Sequence, residues 1–169
     1  MEDKELKRIV EDCVGILNQN EGEIINNDIN ERTIVHKLAE YLQKRFQPPI
    51  SVDVEYNRNF ELGNKEAKYC IDKKCMPDII VHRRLHNDLN LLIIEVKKQN
   101  NKNKEDREND YNKLEAFTTS ERAEGYNFQL GLFLDIPIDG GEYIYKWYKD
   151  GQQVVTQKVS GTNLNSQSV

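Results

Sequence analysis

Met76-Pro77-Asp78-Ile79-Ile80-Val81-His82-Arg83-Arg84, followed closely by Asn90-Leu91-Leu92-Ile93-Ile94-Glu95-Val96-Lys97-Lys98, sets the frame of this chain. Each stretch is apolar in the middle and polar at one end, the pattern of two strands in a β-hairpin. A turn centred between His86 and Asn87 places Asp78 opposite Glu95, Ile80 opposite Ile93 and His82 opposite Leu91. Directly opposed side chains have Cβ atoms about 5 Å apart. Residues two apart share a face, so Lys97 joins the two acids. A bulge in the Leu85 to Leu89 loop would slip the register by one and turn the faces over.

Elsewhere both strands are apolar on both sides, with Ile80, Leu91 and Ile93 on one and Ile79, Val81, Leu92 and Ile94 on the other. Strands without polar alternation are central and covered twice. Two acids at the margin of such a sheet need a partner, because unpaired buried charge is costly. Mg²⁺ is one candidate, since it takes hard oxygen ligands from one or two carboxylates, water and substrate phosphate.

Pro77-Asp78 and the apolar strand ending Glu95-Val96-Lys97 resemble the motif of the PD-(D/E)XK nuclease superfamily, which includes many restriction endonucleases and archaeal Holliday-junction resolvases. The resemblance covers Glu31 to Asp135. It implies a restriction endonuclease-like α/β sandwich: a mixed central sheet of four to five strands flanked by helices, here followed by a C-terminal β-hairpin. It also implies a metal-dependent nuclease that hydrolyses phosphodiester bonds in nucleic acid, with DNA the expected polymer. Asp78 and Glu95, with the Val96 carbonyl, would hold one or two Mg²⁺ ions, for which Mn²⁺ could substitute. Lys97 would position the attacking water or stabilise transition-state charge. The competing readings are a catalytically inactive nuclease-fold module that binds nucleic acid or protein, and a structural domain in which Asp78, Glu95 and Lys97 form an internal ion pair.

The chain is 169 residues long, 31% charged, and carries a net charge of −5. One domain is expected over 1–157, with an N-terminal helix and connector over 1–30, a core over 31–135, and a disordered tail over 158–169. The acidity is uneven. Residues 1–31 hold nine acids against three bases, whereas residues 65–104 hold ten Lys or Arg against five acids. A basic excess around the Asp78/Glu95 pair is compatible with a phosphate-bearing ligand, and equally with solvated loops. Without an apolar span or signal region, a cytoplasmic protein with no membrane association is expected. Three cysteines, an odd number, argue against a disulfide framework.

Leu6, Ile9, Val10, Cys13, Val14, Ile16 and Leu17 give residues 3–18 helical periodicity, and Asn18 to Asn30 read as a connector. Asn30 then caps a second helix. Glu31, Val35, Leu38 and Leu42 share its buried stripe, which Glu40 faces away from. Glu31 suits a first-turn acid on the helix dipole. In the resembled family a glutamate on the first core helix completes the metal site, a role that Glu31 fits and Glu40 does not.

Ile50 to Tyr56 alternates as a half-exposed strand beside the hairpin, and Asn57 and Arg58 at its end could meet phosphate or simply solvent. Residues 59–75 read as a charged loop. Cys70, Cys75, His82 and His86 are zinc-ligand residue types, but their spacing is poor for a finger. Glu105 to Thr118 is a third helix, where Asp110 and Lys113 form an i,i+3 pair. The resemblance makes Lys113 a candidate to point at the site, and Arg58, Lys98 and Lys113 are the candidate nucleic-acid contacts. Phe128 to Asp135 is a buried strand, reached by a crossover that predicts parallel pairing with the Glu95 strand. Asp150-Gly151 predicts a type I′ hairpin. Its Tyr143, Tyr145 and Trp147 share a face suited to covering the core, or to stacking on bases. No specificity loop is legible, so a homodimer or a partner that delivers specificity is expected.

Overall fold

The computed structural model describes residues 1–56, 58–61, 64–67, 69–70, 73–119 and 126–161, without the side chains of residues 58–74. Two helices, α1 (Asp3–Asn26) and α2 (Glu31–Gln43), precede β1 (Ile50–Val54). Four short strands follow: β2 (Arg58–Glu61), β3 (Asn64–Ala67), β4 (Tyr69–Cys70) and β5 (Lys73–Lys74). The central hairpin is β6 (Ile79–Arg83) and β7 (Asn90–Lys98), then come α3 (Lys104–Thr118), β8 (Leu130–Ile136), β9 (Glu142–Lys149) and β10 (Gln152–Ser160).

Six strands form one open mixed sheet in the order β1-β6-β7-β8-β9-β10. This exceeds the expected four to five, because the β9–β10 hairpin pairs onto β8 instead of standing apart. The β7–β8 pair is parallel, as the crossover through α3 requires, and the other neighbours are antiparallel. Asp150 and Gly151 both have positive φ, 50° and 76°, in keeping with the expected turn.

Alternation along the strands builds two cores. On one face Ile79, Val81, Leu92, Ile94, Leu132 and Leu134 meet Leu6, Val10, Leu17, Leu38 and Leu42 of α1 and α2. Tyr143, Tyr145 and Trp147 belong to this cluster and cover the core. On the other face Ile80, Ile93 and Phe133 pack against Leu114 and Phe117 of α3. The result is a helix–sheet–helix sandwich.

The hairpin register holds where the acids are and changes beyond them. Ile79 pairs with Ile94, Ile80 with Ile93 and Val81 with Leu92, as expected. His82 then pairs with Asn90, not Leu91, because a bulge falls between Val81 and His82. The extra residue sits at the turn end of the hairpin, so it leaves the faces at Asp78 and Glu95 unchanged.

Several boundaries differ from the sequence reading. The expected connector after Asn18 is helical to Asn26, with non-helical geometry at Glu21. Ile25 there is buried in the core and Ile24 packs against it, which draws the chain back into the helix. The expected loop over 59–75 contains two antiparallel pairs, β2–β3 and β4–β5. β10 runs three residues into the expected tail, and Gly161 donates to the Gly141 carbonyl and accepts from Asn18. Residues 162–169 lie outside the described residues. Cys75 is disulfide-bonded and Cys13 is buried and free, so the odd cysteine count did not exclude a bridge. Among the described residues no helix is long and apolar enough to cross a membrane.

Candidate active site

Strand parity puts Glu95 and Lys97 on the α3 face of β7, in line with Ile93. Asp78 lies just before β6, and its Oδ2 accepts a hydrogen bond from the Val96 N–H at 2.8 Å. That bond and the Ile79–Ile94 pairing hold the Asp78 carboxylate beside Glu95. The two expected acids are therefore brought together.

α3 completes the cluster. Asn103 fixes its start by accepting from the Glu105 and Asp106 N–H groups. Two turns on, Asp110 and Lys113 point at the sheet. Lys113 Nζ lies 2.5 Å from Glu95 Oε2 and 2.7 Å from Asp110 Oδ1, while Lys97 Nζ is 2.9 Å from Asp110 Oδ2. The expected i,i+3 pair therefore faces the sheet, with Asp110 only 4% exposed and Lys113 half-buried. Asp110 is the functional candidate that sequence reasoning missed. Its signal was available, because Asp110, Leu114 and Phe117 stand at i, i+4 and i+7 on one helical stripe.

Burial dominates the electrostatics. It pushes the Asp78 carboxyl up to about 6, partly offset by the Val96 N–H and the two lysines. Glu95 is pushed well above the usual carboxylate range, first by burial and then by the Asp78 charge, with Lys113 pulling the other way. Burial opposes the Lys97 and Lys113 ammonium groups as well. For Lys97 it is outweighed chiefly by Asp110 and for Lys113 by Glu95 and Asp110, so both stay above their ordinary values. Both lysines are cations here, suited to stabilising anionic charge and not to acting as bases.

Glu31 opens α2, where the Asn30 side chain accepts from the Arg32 N–H. Its carboxylate is 3.4 Å from Lys97 Nζ and accepts from the Lys98 N–H at 3.2 Å. It reaches the rim of the site through Lys97. Lys98 faces away, its ammonium held by the Asp28 carboxylate and the Ile29 carbonyl, so its charge is already engaged. The Arg58 side chain lies outside the described residues.

His82 does not belong to a zinc set. It is 2% exposed, its Nε2 is 2.9 Å from Asp53 Oδ2, and its ring sits edge-on to Tyr56. Arg84 binds both oxygens of the same Asp53. Burial disfavours that carboxylate, but His82 and Arg84 hold it well below its usual range. The cluster ties β1 to β6.

Among the described residues, no group of three or more His, Cys, Asp or Glu side chains converges as metal ligands. The narrower set, two carboxylates and a backbone carbonyl, still fits a hard divalent ion, which draws its remaining oxygens from water and substrate. One atom argues for the fit. Glu95 Oε1 is buried without a hydrogen-bond partner among the described residues, and a buried carboxylate oxygen left this way is costly. An open cleft of roughly 550 Å³ lies past the carboxyl ends of β7 and β8, lined in part by Gln99, Asn100 and Lys102, but Asp78, Glu95, Lys97, Asp110 and Lys113 do not line it.

No family model, no curated protein and no solved structure matches this chain.

Proposed function

We propose that this protein is a metal-dependent nuclease of the PD-(D/E)XK type, acting on phosphodiester bonds of nucleic acid, with DNA the first polymer to test. The observation that carries the reading is Glu95: a fully buried carboxylate with an unpartnered oxygen, beside Asp78 and on the same face as Lys97. Asp78, Glu95 and the Val96 carbonyl would hold Mg²⁺ or Mn²⁺. When bound, such an ion polarises a phosphodiester oxygen and lowers the pKa of a bound water. Lys97, kept cationic by Asp110 and Glu31, supplies positive charge where the phosphorane gains negative charge. Glu31 orients Lys97 from the far side. α3 and the sheet exclude water around Glu95, which strengthens each of these interactions.

A second reading has support of its own. Lys97 and Lys113 already neutralise much of the acidic charge, as an inactive module held by internal ion pairs would require. Supercoiled plasmid, branched DNA, single-stranded DNA and RNA, each incubated in Mg²⁺ or Mn²⁺ beside an Asp78→Ala control, separate the two. Metal-dependent cutting that vanishes in the control supports the nuclease. No cutting, with no metal-dependent rise in Tm, supports the module.

A further inference from the structure

The geometry points to Lys113 as an internal counter-cation that occupies the Glu95 carboxylate until a divalent ion displaces it, with Asp110 the carboxylate that receives the displaced ammonium. This rests on the metal reading above and adds an order of events to it.

Lys113 Nζ is already shared between Glu95 Oε2, at 2.5 Å, and Asp110 Oδ1, at 2.7 Å. Leaving Glu95 requires rotation about its terminal side-chain bonds, not movement of α3. Departure into water is restricted, because the Lys113 side chain is only 18% exposed. Asp110 is the acceptor within reach, and its second oxygen lies 2.9 Å from the Lys97 ammonium, a charge contact without hydrogen-bond geometry. A divalent ion on Glu95 would repel the ammonium, and Asp110 would keep it paired. Both lysines would then be anchored on one carboxylate, facing the place where a phosphate approaches. Asp110 is in this account a positioning residue. It contacts neither ion nor substrate, and it sets where two cations rest.

Isothermal titration of Mn²⁺ alone, at about pH 8 where exposed carboxyls are ionised, tests this without any cleavage readout. If Lys113 holds Glu95 in about nine of ten molecules, the parent binds about tenfold more weakly than a vacated site. Lys113→Gln is therefore expected to bind Mn²⁺ about tenfold tighter. Asp110→Asn should weaken binding in the parent yet change little in the Lys113→Gln background, because the effect requires the ammonium that Asp110 receives. Equal weakening in both backgrounds, or no tightening in Lys113→Gln, overturns the inference and leaves the metal site standing. No binding by any of the four proteins overturns the metal site itself. Should Lys113→Gln fail to fold, Lys113→Arg serves instead. Its guanidinium fork grips a carboxylate more firmly, so Mn²⁺ binding should weaken, and unchanged binding would contradict the displacement.

Discussion

The two faces of the central sheet are built on different terms. Under α1 and α2 the contacts are almost wholly apolar, and Leu6, Val10, Leu17, Leu38 and Leu42 are fully buried against Ile79, Val81, Leu92 and Ile94. Under α3 the same hairpin presents Glu95 and Lys97, and the helix answers with Asp110 and Lys113. A helix that only covered a sheet would turn apolar residues inward, as α1 does. α3 turns Leu114 and Phe117 inward as well, but adds a buried acid and a half-buried lysine, at a desolvation cost that packing does not explain. Charge concentrated on one face of an otherwise apolar core is the reason the proposed site is placed there.

Four experiments sharpen or break this contrast. The largest effect is expected on the sealed face. Leu17→Ala should destabilise the fold by about 2–5 kcal/mol in denaturant unfolding, through lost burial and a cavity. Its metal affinity, measured per folded molecule, should match the parent. Next comes pH. Asp78 ordinarily loses its proton near 3.8, and in the fold near 6. Between those values the folded chain keeps a proton that the unfolded chain has released. The Asp78 contribution to metal-free stability is therefore complete below this window and is lost, by on the order of 2–3 kcal/mol, as pH rises through it, whereas the low-lying Asp53 loses its own contribution only in stronger acid. Glu95 is shifted in the same direction and extends the fall to higher pH. Saturating Mg²⁺ should flatten the profile, and a metal-free curve that rises across the window would contradict the burial of these acids.

A smaller change is expected from Glu95→Gln. Burial already favours the uncharged form of Glu95, which the amide mimics, so the metal-free protein should melt no lower than the parent while losing its metal-induced gain in Tm. A Tm drop comparable to that of Leu17→Ala would make Glu95 a structural residue. The smallest effect is expected from Lys98→Ala, since its ammonium is engaged with Asp28 and Ile29 away from the acids. Nucleic-acid affinity and Tm should both stay close to the parent's, and a clear loss of affinity would place substrate on the α2 side of β7.

The hairpin was legible because it is local. Apolar runs fix its strands, and Asp78 and Glu95 come together by register alone, which the bulge beyond Val81 does not reach. The parallel β7–β8 pairing followed from the helix between them. The sixth strand was missed because the β9–β10 hairpin is self-sufficient in sequence, and only its pairing with β8 joins it to the sheet. The helical turns after Asn18 were missed because Asn, Glu and Gly weaken the local signal, while Ile24 and Ile25 are held by distant core residues. Asp110 was passed over although it shares a stripe with Leu114 and Phe117. An i,i+3 acid–lysine pair looks the same exposed or buried, and which side of α3 faces Glu95 is decided by tertiary packing.

The central claim is tested most directly by Lys97→Met, compared with the parent on plasmid and branched DNA in Mn²⁺, with Tm measured on the same samples. Lys113 remains to balance Asp110, so the fold should survive. On the proposed role of Lys97 as the cation that stabilises transition-state charge, cleavage should fall by about a thousandfold. A Lys97→Met protein that cuts as fast as the parent would contradict the assignment of this face as a nuclease site.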